Sequence, residues 1–200
     1  MSTSPTIANW PVEDLVVRIS SGEVSPGAGA AGAVVLALAA ACAGKAASVT
    51  LKHLPDEIEL RSSLACLRQI ARYALTDADR DSEAFKAFIQ SRSSSAVARL
   101  VSEGGRVAQL IATLDSVIDG IEPLIRTNVM GDLVAARVLA SAARRIQEHD
   151  ATRRPAESLT RGQPQPPARI ARPSAAAPRR AVRSAYFGIP ELDRIEIGVP

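Results

Sequence analysis

The chain has 200 residues, of which 46% are hydrophobic and 3% aromatic, and its net charge is +3. Only two histidines occur, His53 and His149, so a His-ligated zinc site or a His-based catalytic triad is hard to build. Cys42 and Cys66 lie in apolar helical stretches without a metal-binding spacing. We therefore expect no metal site, and free thiols in a reducing, cytoplasmic compartment.

The charges are unevenly distributed along the chain. Residues 1–150 carry 15 basic and 17 acidic side chains, a net charge of −2, whereas residues 151–184 carry eight arginines against Glu157 alone. The basic excess thus lies in the tail. A nucleic-acid role argued from the pI of about 9.2 would apply to that tail and not to the body.

The N-terminal stretch M-S-T-S-P-T-I-A-N-W has neither a basic region nor an apolar run, which argues against a secretory signal. After Pro11, the segment V-E-D-L-V-V-R-I-S places Leu15, Val16 and Ile19 on one face with acids in its first turn. This pattern predicts a short amphipathic helix that ends at Gly22.

The segment from Ser25 onward predicts a long alanine-rich helix, with Ser25 as its N-cap and Pro26 at the first helical position. Gly27, Gly29 and Gly32 then fall in its first two turns, where each glycine costs about 0.8–1.0 kcal/mol relative to alanine. Two explanations stay open. Either another helix packs tightly there, or a backbone or anionic ligand approaches the helix N-terminus closely.

The same helix has to be weighed as a membrane span, because residues 24–44 carry no charge. Most of these residues are alanine and glycine, and Pro26 falls inside the required length. A buried core helix of a soluble protein is the better interpretation, and no membrane association is expected.

Three more helices follow from the recurrence of apolar residues every three or four positions. The first opens at Asp56, the second follows a break at Ser94 and is interrupted at Gly104-Gly105, and the third runs from Asp132 to about His149. Residues 1–150 contain no convincing strand. The sequence predicts an all-α antiparallel bundle of about five helices over residues 1–150.

Residues 151–200 differ in composition from the predicted bundle. Residues 151–184 are rich in proline and arginine and have too few apolar side chains to form a core, which predicts a disordered linker. Residues 185–200 regain apolar and aromatic side chains and are interpreted as a docking peptide for a protein partner, or as an arm that packs back on the body.

The densest acidic cluster is D-A-D-R-D-S-E, from Asp77 to Glu83. It does not fit a calcium loop, because Ser82 and Phe88 stand where glycine and a bidentate glutamate are needed. On a helix Asp77 and Asp81 share one face, either as a solvated face or as carboxylates aimed into a cleft. The motif around Asp132, taken alone, predicts that Asp132 caps a helix.

Three stretches occur in order and are separated by helices: S-P-G-A-G-A, D-S-E-A-F and N-V-M-G-D-L-V-A-A. Together they resemble the cyclodeaminase and cyclohydrolase family, which includes the C-terminal domain of formiminotransferase-cyclodeaminase and the methenyltetrahydrofolate cyclohydrolases. The resemblance covers roughly residues 10–145. It implies a homodimeric helical bundle that hydrolyses 5,10-methenyltetrahydrofolate or cyclodeaminates 5-formiminotetrahydrofolate, with no cofactor beyond the folate substrate.

Matched position by position, the resemblance implies two catalytic carboxylates, Asp81 and Asp132. A carboxylate suits this chemistry because it can stabilise an amidinium-like cation and accept a proton from water. The substrate-binding residues implied are Ser25, Pro26, Gly27, Gly29 and Asn128, with Lys45 or Lys52 as partners of the folate glutamate.

The chain also departs from the family pattern. Its glycine turn reads P-G-A-G-A instead of P-G-G-G-S, and the usual lysine-rich stretch is reduced to T-L-K-H. The alternative is therefore a catalytically degenerate bundle that acts as a scaffold or adaptor through its C-terminal tail. A third hypothesis, an arginine-rich tail that binds nucleic acid, predicts binding that falls steeply with salt.

Overall fold

The structure is a computed structural model that describes residues 6–160, with side chains described for residues 6–151. Five α-helices make up most of it, and this part of the chain contains no strand. They are α1 (Val12–Ser20), α2 (Ala28–Leu51), α3 (Ile58–Ser91), α4 (Ser94–Ile121) and α5 (Met130–Thr160), with short 3₁₀ turns at Ile7–Asn9, Glu122–Leu124 and Thr127–Val129. The predicted all-α bundle of about five helices is confirmed.

Helices α2 to α5 form an antiparallel four-helix bundle, and α2 packs mainly on α3 and α5. Ion pairs between neighbouring helices fix the directions. Arg106 on α4 lies 3.1 Å from Asp77 on α3, and Lys45 late in α2 lies 3.1 Å from Asp132 early in α5. We call the end that holds Gly27 the glycine end of the bundle, and the opposite end, which holds Asn128, the distal end.

The core is built from small residues of α2 facing larger residues of its neighbours. Ala39, Ala43 and Ala46 are fully buried and belong to one cluster with Leu67 and Leu114. Alanine allows neighbouring helices to approach closely, while the leucines fill the space between them at the density of a protein interior. This packing explains why α2 can be rich in alanine and still lie at the centre of the bundle.

A basic clamp joins α4 to α5 toward the distal end. Arg137 on α5 contacts Asp119 at 2.8 Å and Glu122 at 2.5 Å, and Arg144 contacts Asp115. The hydrogen bond with Asp119 raises the pKa of Arg137 above its usual value, with a smaller contribution from Glu122. The guanidinium therefore remains charged wherever the two carboxylates are ionised.

Some predicted helix boundaries are corrected by the structure. Ser25 does not cap α2: the N-cap is Gly27, no side chain caps it, and the bond between Ser25 and Pro26 is cis. Pro26 therefore precedes the helix. At Gly104-Gly105 the predicted interruption is absent, and α4 continues through both glycines.

The C-terminal boundary also moves. The last helix was predicted to end near His149, but α5 continues to Thr160 and includes the first residues of the predicted linker. The rest of that linker, residues 161–184, and the predicted docking peptide, residues 185–200, lie outside the described residues.

Among the described residues, α2 is the one helix long and apolar enough to cross a membrane by length and composition. Half of its most apolar window is buried inside the bundle, as in the core helix of a soluble protein. Its place between α3 and α5 accounts for its apolar character without a membrane.

The packing predicts how truncation affects stability. Leu67→Ala should lower the free energy of unfolding by about 2–5 kcal/mol, because Leu67 is fully buried and its loss leaves a cavity. Ile58 is 79% exposed on the same helix, so Ile58→Ala should change stability by less than about 0.5 kcal/mol. Urea unfolding followed by circular dichroism measures both, and equal midpoints would contradict this core.

Candidate functional site

The glycine end is organised by a close contact between α2 and α3. A Cβ atom built on Gly29, in the first turn of α2, would lie 2.3 Å from Asp81 Oδ2 and 2.6 Å from Asp81 Oδ1. The carboxylate of Asp81 therefore rests directly on the backbone of Gly29. Of the two explanations left open for the glycines, tight helix packing holds at Gly29, where α3 brings in an acidic side chain, and at Gly32, which lies against Ile146 of α5.

The rest of the glycine turn surrounds this contact. Ser25 and Pro26 are buried, and Gly27 is partly buried at the start of α2. The structure thus brings together five residues that the resemblance implied, namely Ser25, Pro26, Gly27, Gly29 and Asp81.

A second carboxylate lies one turn before Asp81 on the same face of α3. Asp77 is fully buried and Asp81 is 7% exposed, so neither belongs to a solvated face. Asp77 Oδ1 lies 3.1 Å from Arg106 and 3.4 Å from Arg80, while its Oδ2 is buried without a hydrogen-bond partner. Because a buried charge needs a compensating charge, the two arginines are what allows Asp77 to occupy the interior.

Further polar side chains extend this layer across the bundle. Glu103 Oε2 lies 3.6 Å from Arg106 Nε, an ion-pair distance without a hydrogen bond. From α5, the buried Gln147 reaches Gly32, where its Nε2 would lie 3.6 Å from a built Cβ. We call Asp77, Asp81, Glu103, Arg106 and Gln147 the polar layer, which lies across the glycine end of the bundle. Asp77, Asp81 and Gln147 are buried, Glu103 is partly buried, and Arg106 is exposed to solvent.

Asp77, Glu103, Arg106 and Gln147 were not among the predicted site residues, although Asp77 was predicted to share a helix face with Asp81. A signal was nevertheless present, because Asp77 and Asp81 continue the apolar stripe of α3 that contains Leu67 and Ala74. A charged residue on the stripe that faces a core is costly unless it is paired.

The other predicted site residues lie at the distal end. Asp132 is partly buried, and its Oδ1 lies 3.1 Å from Lys45 Nζ. Asn128, Lys52 and Lys45 are exposed. Gly29 and Lys45 are separated by 16 residues of α2, which is about 24 Å along the helix axis. One chain therefore does not bring Asp81 and Asp132 together, and Lys45 does not lie near the glycine turn.

Two cavities open at the glycine end. A cavity of about 350 Å³ lies between the N-terminal residues, the glycine turn and α3. A larger and more apolar one, of about 530 Å³, lies between α4 and α5, where Gly104 and Gly105 leave space beside Gln147. The glycine pair thus lines a cavity instead of bending its helix.

In the part of the chain with described side chains, no group of three or more histidine, cysteine, aspartate or glutamate residues is arranged to hold a metal ion. Cys42 and Cys66 are free, partly buried thiols.

The contact between Gly29 and Asp81 can be tested by a double-mutant cycle. Gly29→Ala should cost about 1–3 kcal/mol, because its methyl group would occupy the space of the carboxylate. In an Asp81→Ala background the same change should become stabilising, by up to about 1 kcal/mol, because only the helix preference for alanine remains.

Gly27→Ala serves as the matched control, because nothing lies within 4 Å of a Cβ built on Gly27. Chemical unfolding gives the free energies of all the variants. A cost of Gly29→Ala that is the same with and without Asp81 would show that the two residues do not touch.

Comparisons with known proteins agree with this architecture. The sequence model of the formiminotransferase-cyclodeaminase family matches residues 11–148. The crystal structure of formiminotetrahydrofolate cyclodeaminase from Thermotoga maritima superposes with a TM-score of 0.71 at 20% sequence identity, covering 76% of this chain and 81% of that one. At this identity the likeness concerns the fold. A search of the curated proteins finds no match.

Proposed function

Because the chain belongs to the formiminotransferase-cyclodeaminase family, we propose that it processes a one-carbon folate at the glycine end of its bundle. The reaction would be hydrolysis of 5,10-methenyltetrahydrofolate or cyclodeamination of 5-formiminotetrahydrofolate, in the cytoplasm. The observation that carries this proposal is the buried carboxylate of Asp81, held against Gly29 one turn from a second buried carboxylate.

The charge at this site suits the proposed substrate. The methenyl bridge joins two nitrogens and is an amidinium-like cation, so a carboxylate in a poorly solvated site would attract it strongly. Asp77 and Asp81 lie at the i and i+4 positions of α3, and Arg106 and Arg80 compensate the charge of Asp77. A bound substrate cation would add a favourable interaction with the Asp81 carboxylate.

The proposed chemical step uses Asp81 as a general base. Water adds to the bridging carbon and passes one proton to the Asp81 carboxylate. Asp81 then gives this proton to the leaving nitrogen as one carbon–nitrogen bond breaks, and the second water proton goes to solvent, which leaves a formyl group. In the cyclodeamination, N10 would attack the formimino carbon and lose its proton to Asp81, which would pass it to the leaving nitrogen so that this departs as ammonia. Arg106 and Arg80 would hold Asp77 in place and so keep the negative field at the site.

Proton transfer by a positioned side chain typically contributes about 10²- to 10⁴-fold to a rate, so Asp81→Asn should lower kcat by that factor. Asp119→Asn, an exposed carboxylate at the distal end, should leave turnover unchanged. Decay of 5,10-methenyltetrahydrofolate absorbance and ammonia release from the formimino substrate measure the two reactions, and circular dichroism checks that each variant is folded.

Full turnover by Asp81→Asn would remove Asp81 from the mechanism. If the wild-type protein neither turns over nor binds either folate, the alternative gains support, namely a degenerate bundle that acts as a scaffold through its C-terminal tail.

We further propose that the protein is a homodimer. Leu38 on α2 and Val134 and Val138 on α5 are large apolar side chains exposed to solvent. They lie on neighbouring helices, and the Lys45–Asp132 contact sets Leu38 and Val138 at similar heights along the bundle. A second copy that covers these side chains would remove apolar surface from water.

Such a dimer would also bring Asp132 of one copy close to Asp81 of the other. The midpoint of α2 between Gly29 and Lys45 is residue 37, next to Leu38. If two copies packed with antiparallel α2 helices about this point, the distal end of one would lie beside the glycine end of the other. Asp132 of one copy could then serve the Asp81 site of its neighbour.

This arrangement predicts complementation between inactive variants. Asp81→Asn and Asp132→Asn should each lose turnover alone, whereas randomly mixed dimers should recover about a quarter of wild-type turnover, because half are heterodimers with one intact site. Leu38→Glu in both partners should abolish the recovery, and the equally exposed Val17→Glu on α1 should not. Sedimentation reports the dimers; full activity of Asp132→Asn alone would refute a shared site.

A further inference from the structure

The cavity of about 530 Å³ between α4 and α5 takes no part in the mechanism given above. Of the four pairs of neighbouring helices in the bundle, α4 and α5 pack least closely, and the space between them opens at the glycine end. Neither Gly29 nor Asp81 lines this cavity. Its volume lies within the range of small-molecule sites, and its mostly apolar wall with a few polar groups is typical of them.

The α4 side of the cavity includes a smooth strip of small residues. Gly104, Gly105, Ala108 and Ala112 all line the cavity, and their spacing of about four positions places them along one face of the helix. No side chain larger than a methyl group rises from this strip. A flat ring could therefore lie directly against the helix.

Gly105 is not required by the packing of the bundle. A Cβ atom built on Gly29 would meet Asp81, and one built on Gly32 would meet Ile146, whereas no atom of the described residues lies within 4 Å of a Cβ built on Gly105. Glycine is among the least favourable residues inside a helix. The effect of Gly105 is therefore to leave space in the cavity, at the expense of helix preference.

Gln147 of α5 brings an unpaired amide group to this cavity. The residue is 8% exposed and lines the cavity, and among the described residues its amide has no hydrogen-bond partner. Unlike the hydroxyls of Ser25 and Ser82, neither amide atom is sealed from solvent. Because the rest of the residue is buried, the accessible amide faces the cavity. A buried amide without partners is costly, so this is a group that a bound ligand would satisfy.

The charged groups at the rim favour a neutral ligand. Arg144 is paired with Asp115, and Glu148 adds a second carboxylate, so acids outnumber bases among the described residues of the wall. The excess carboxylate would repel an anion. A cation would lose hydration against a wall that is mostly apolar.

From these groups we infer that the cavity binds a neutral, flat aromatic ring that carries a primary carboxamide. The carboxamide N–H donates to Gln147 Oε1, its carbonyl accepts from Gln147 Nε2, and the ring lies on the small-residue strip of α4. This site goes beyond the proposed function and uses none of its catalytic groups. Folates also contain an aryl amide, but theirs carries a glutamate, whose carboxylates the acids of the rim disfavour.

The ligand class is tested with naphthalene-2-carboxamide, a fluorescent ring of this kind. Its fluorescence anisotropy should rise and saturate as the full chain is added, because a bound ring tumbles with the protein. Naphthalene-2-carboxylate has the same ring with a negative charge and no N–H donor. Its Kd should be higher by at least about ten-fold.

The variants test the assigned contacts. Gln147→Leu removes the amide at nearly constant size and should raise the Kd for the carboxamide by about ten-fold. Gln109→Leu, at an exposed position of α4 outside the cavity, should leave that Kd unchanged. Gly105→Leu should abolish binding by filling the open space. It should not lower the unfolding midpoint, because the new side chain meets no neighbour at its Cβ and leucine favours a helix.

The outcomes separate this site from the proposed catalysis. Asp81→Asn should leave the Kd for the carboxamide unchanged, and carboxamide binding that depends on Gln147 in a protein without folate turnover would still support the site. Equal Kd values for the carboxamide and the carboxylate, or for the wild type and Gln147→Leu, would overturn it. Displacement of the carboxamide by p-aminobenzoylglutamate would also overturn it, because the cavity would then belong to the folate site. The absence of saturable binding would show that the cavity holds only water.

Discussion

The contact of the Asp81 carboxylate with the backbone of Gly29 is the constraint on which the glycine end depends. Any side chain at residue 29 would occupy the space of the carboxylate, so the first turn of α2 gives up helix stability to admit an acid. Asp77 then needs Arg106 and Arg80 to lie in the interior. Burying such charges costs desolvation energy that only their pairing offsets.

The polar residues of this bundle fall into two groups at opposite ends of α2. The glycine end holds the buried acids and two cavities, and the distal end holds the partly exposed pair of Lys45 and Asp132. A single copy therefore keeps Asp81 and Asp132 apart. A second copy packed around Leu38 would reunite the two groups, and the exposed apolar side chains of α2 and α5 are the physical reason to expect one.

Much of the architecture could be predicted from the sequence, because the helical period of apolar residues records which face each helix buries. The juxtaposition of Asp81 with the glycine turn was also predictable, although only through the resemblance of three short motifs. The N-cap of α2 was not predictable. Local rules favour a serine before proline as an N-cap, which pointed to Ser25, whereas the structure has Gly27 at that position. Nor was the continuity of α4 through Gly104-Gly105, a pair that lines a cavity and still stays helical.

The sequence by itself determined the helical class, the central alanine-rich helix and the acidic residues of α3, since these follow from composition and local spacing. Only the tertiary structure decided which of those acids face the interior, and which residues meet them from other helices, as Arg106 meets Asp77 and Gly29 meets Asp81. Only the tertiary structure shows that Asp81 and Asp132 lie near opposite ends of α2. Distances between elements depend on packing direction and register, which no local pattern encodes.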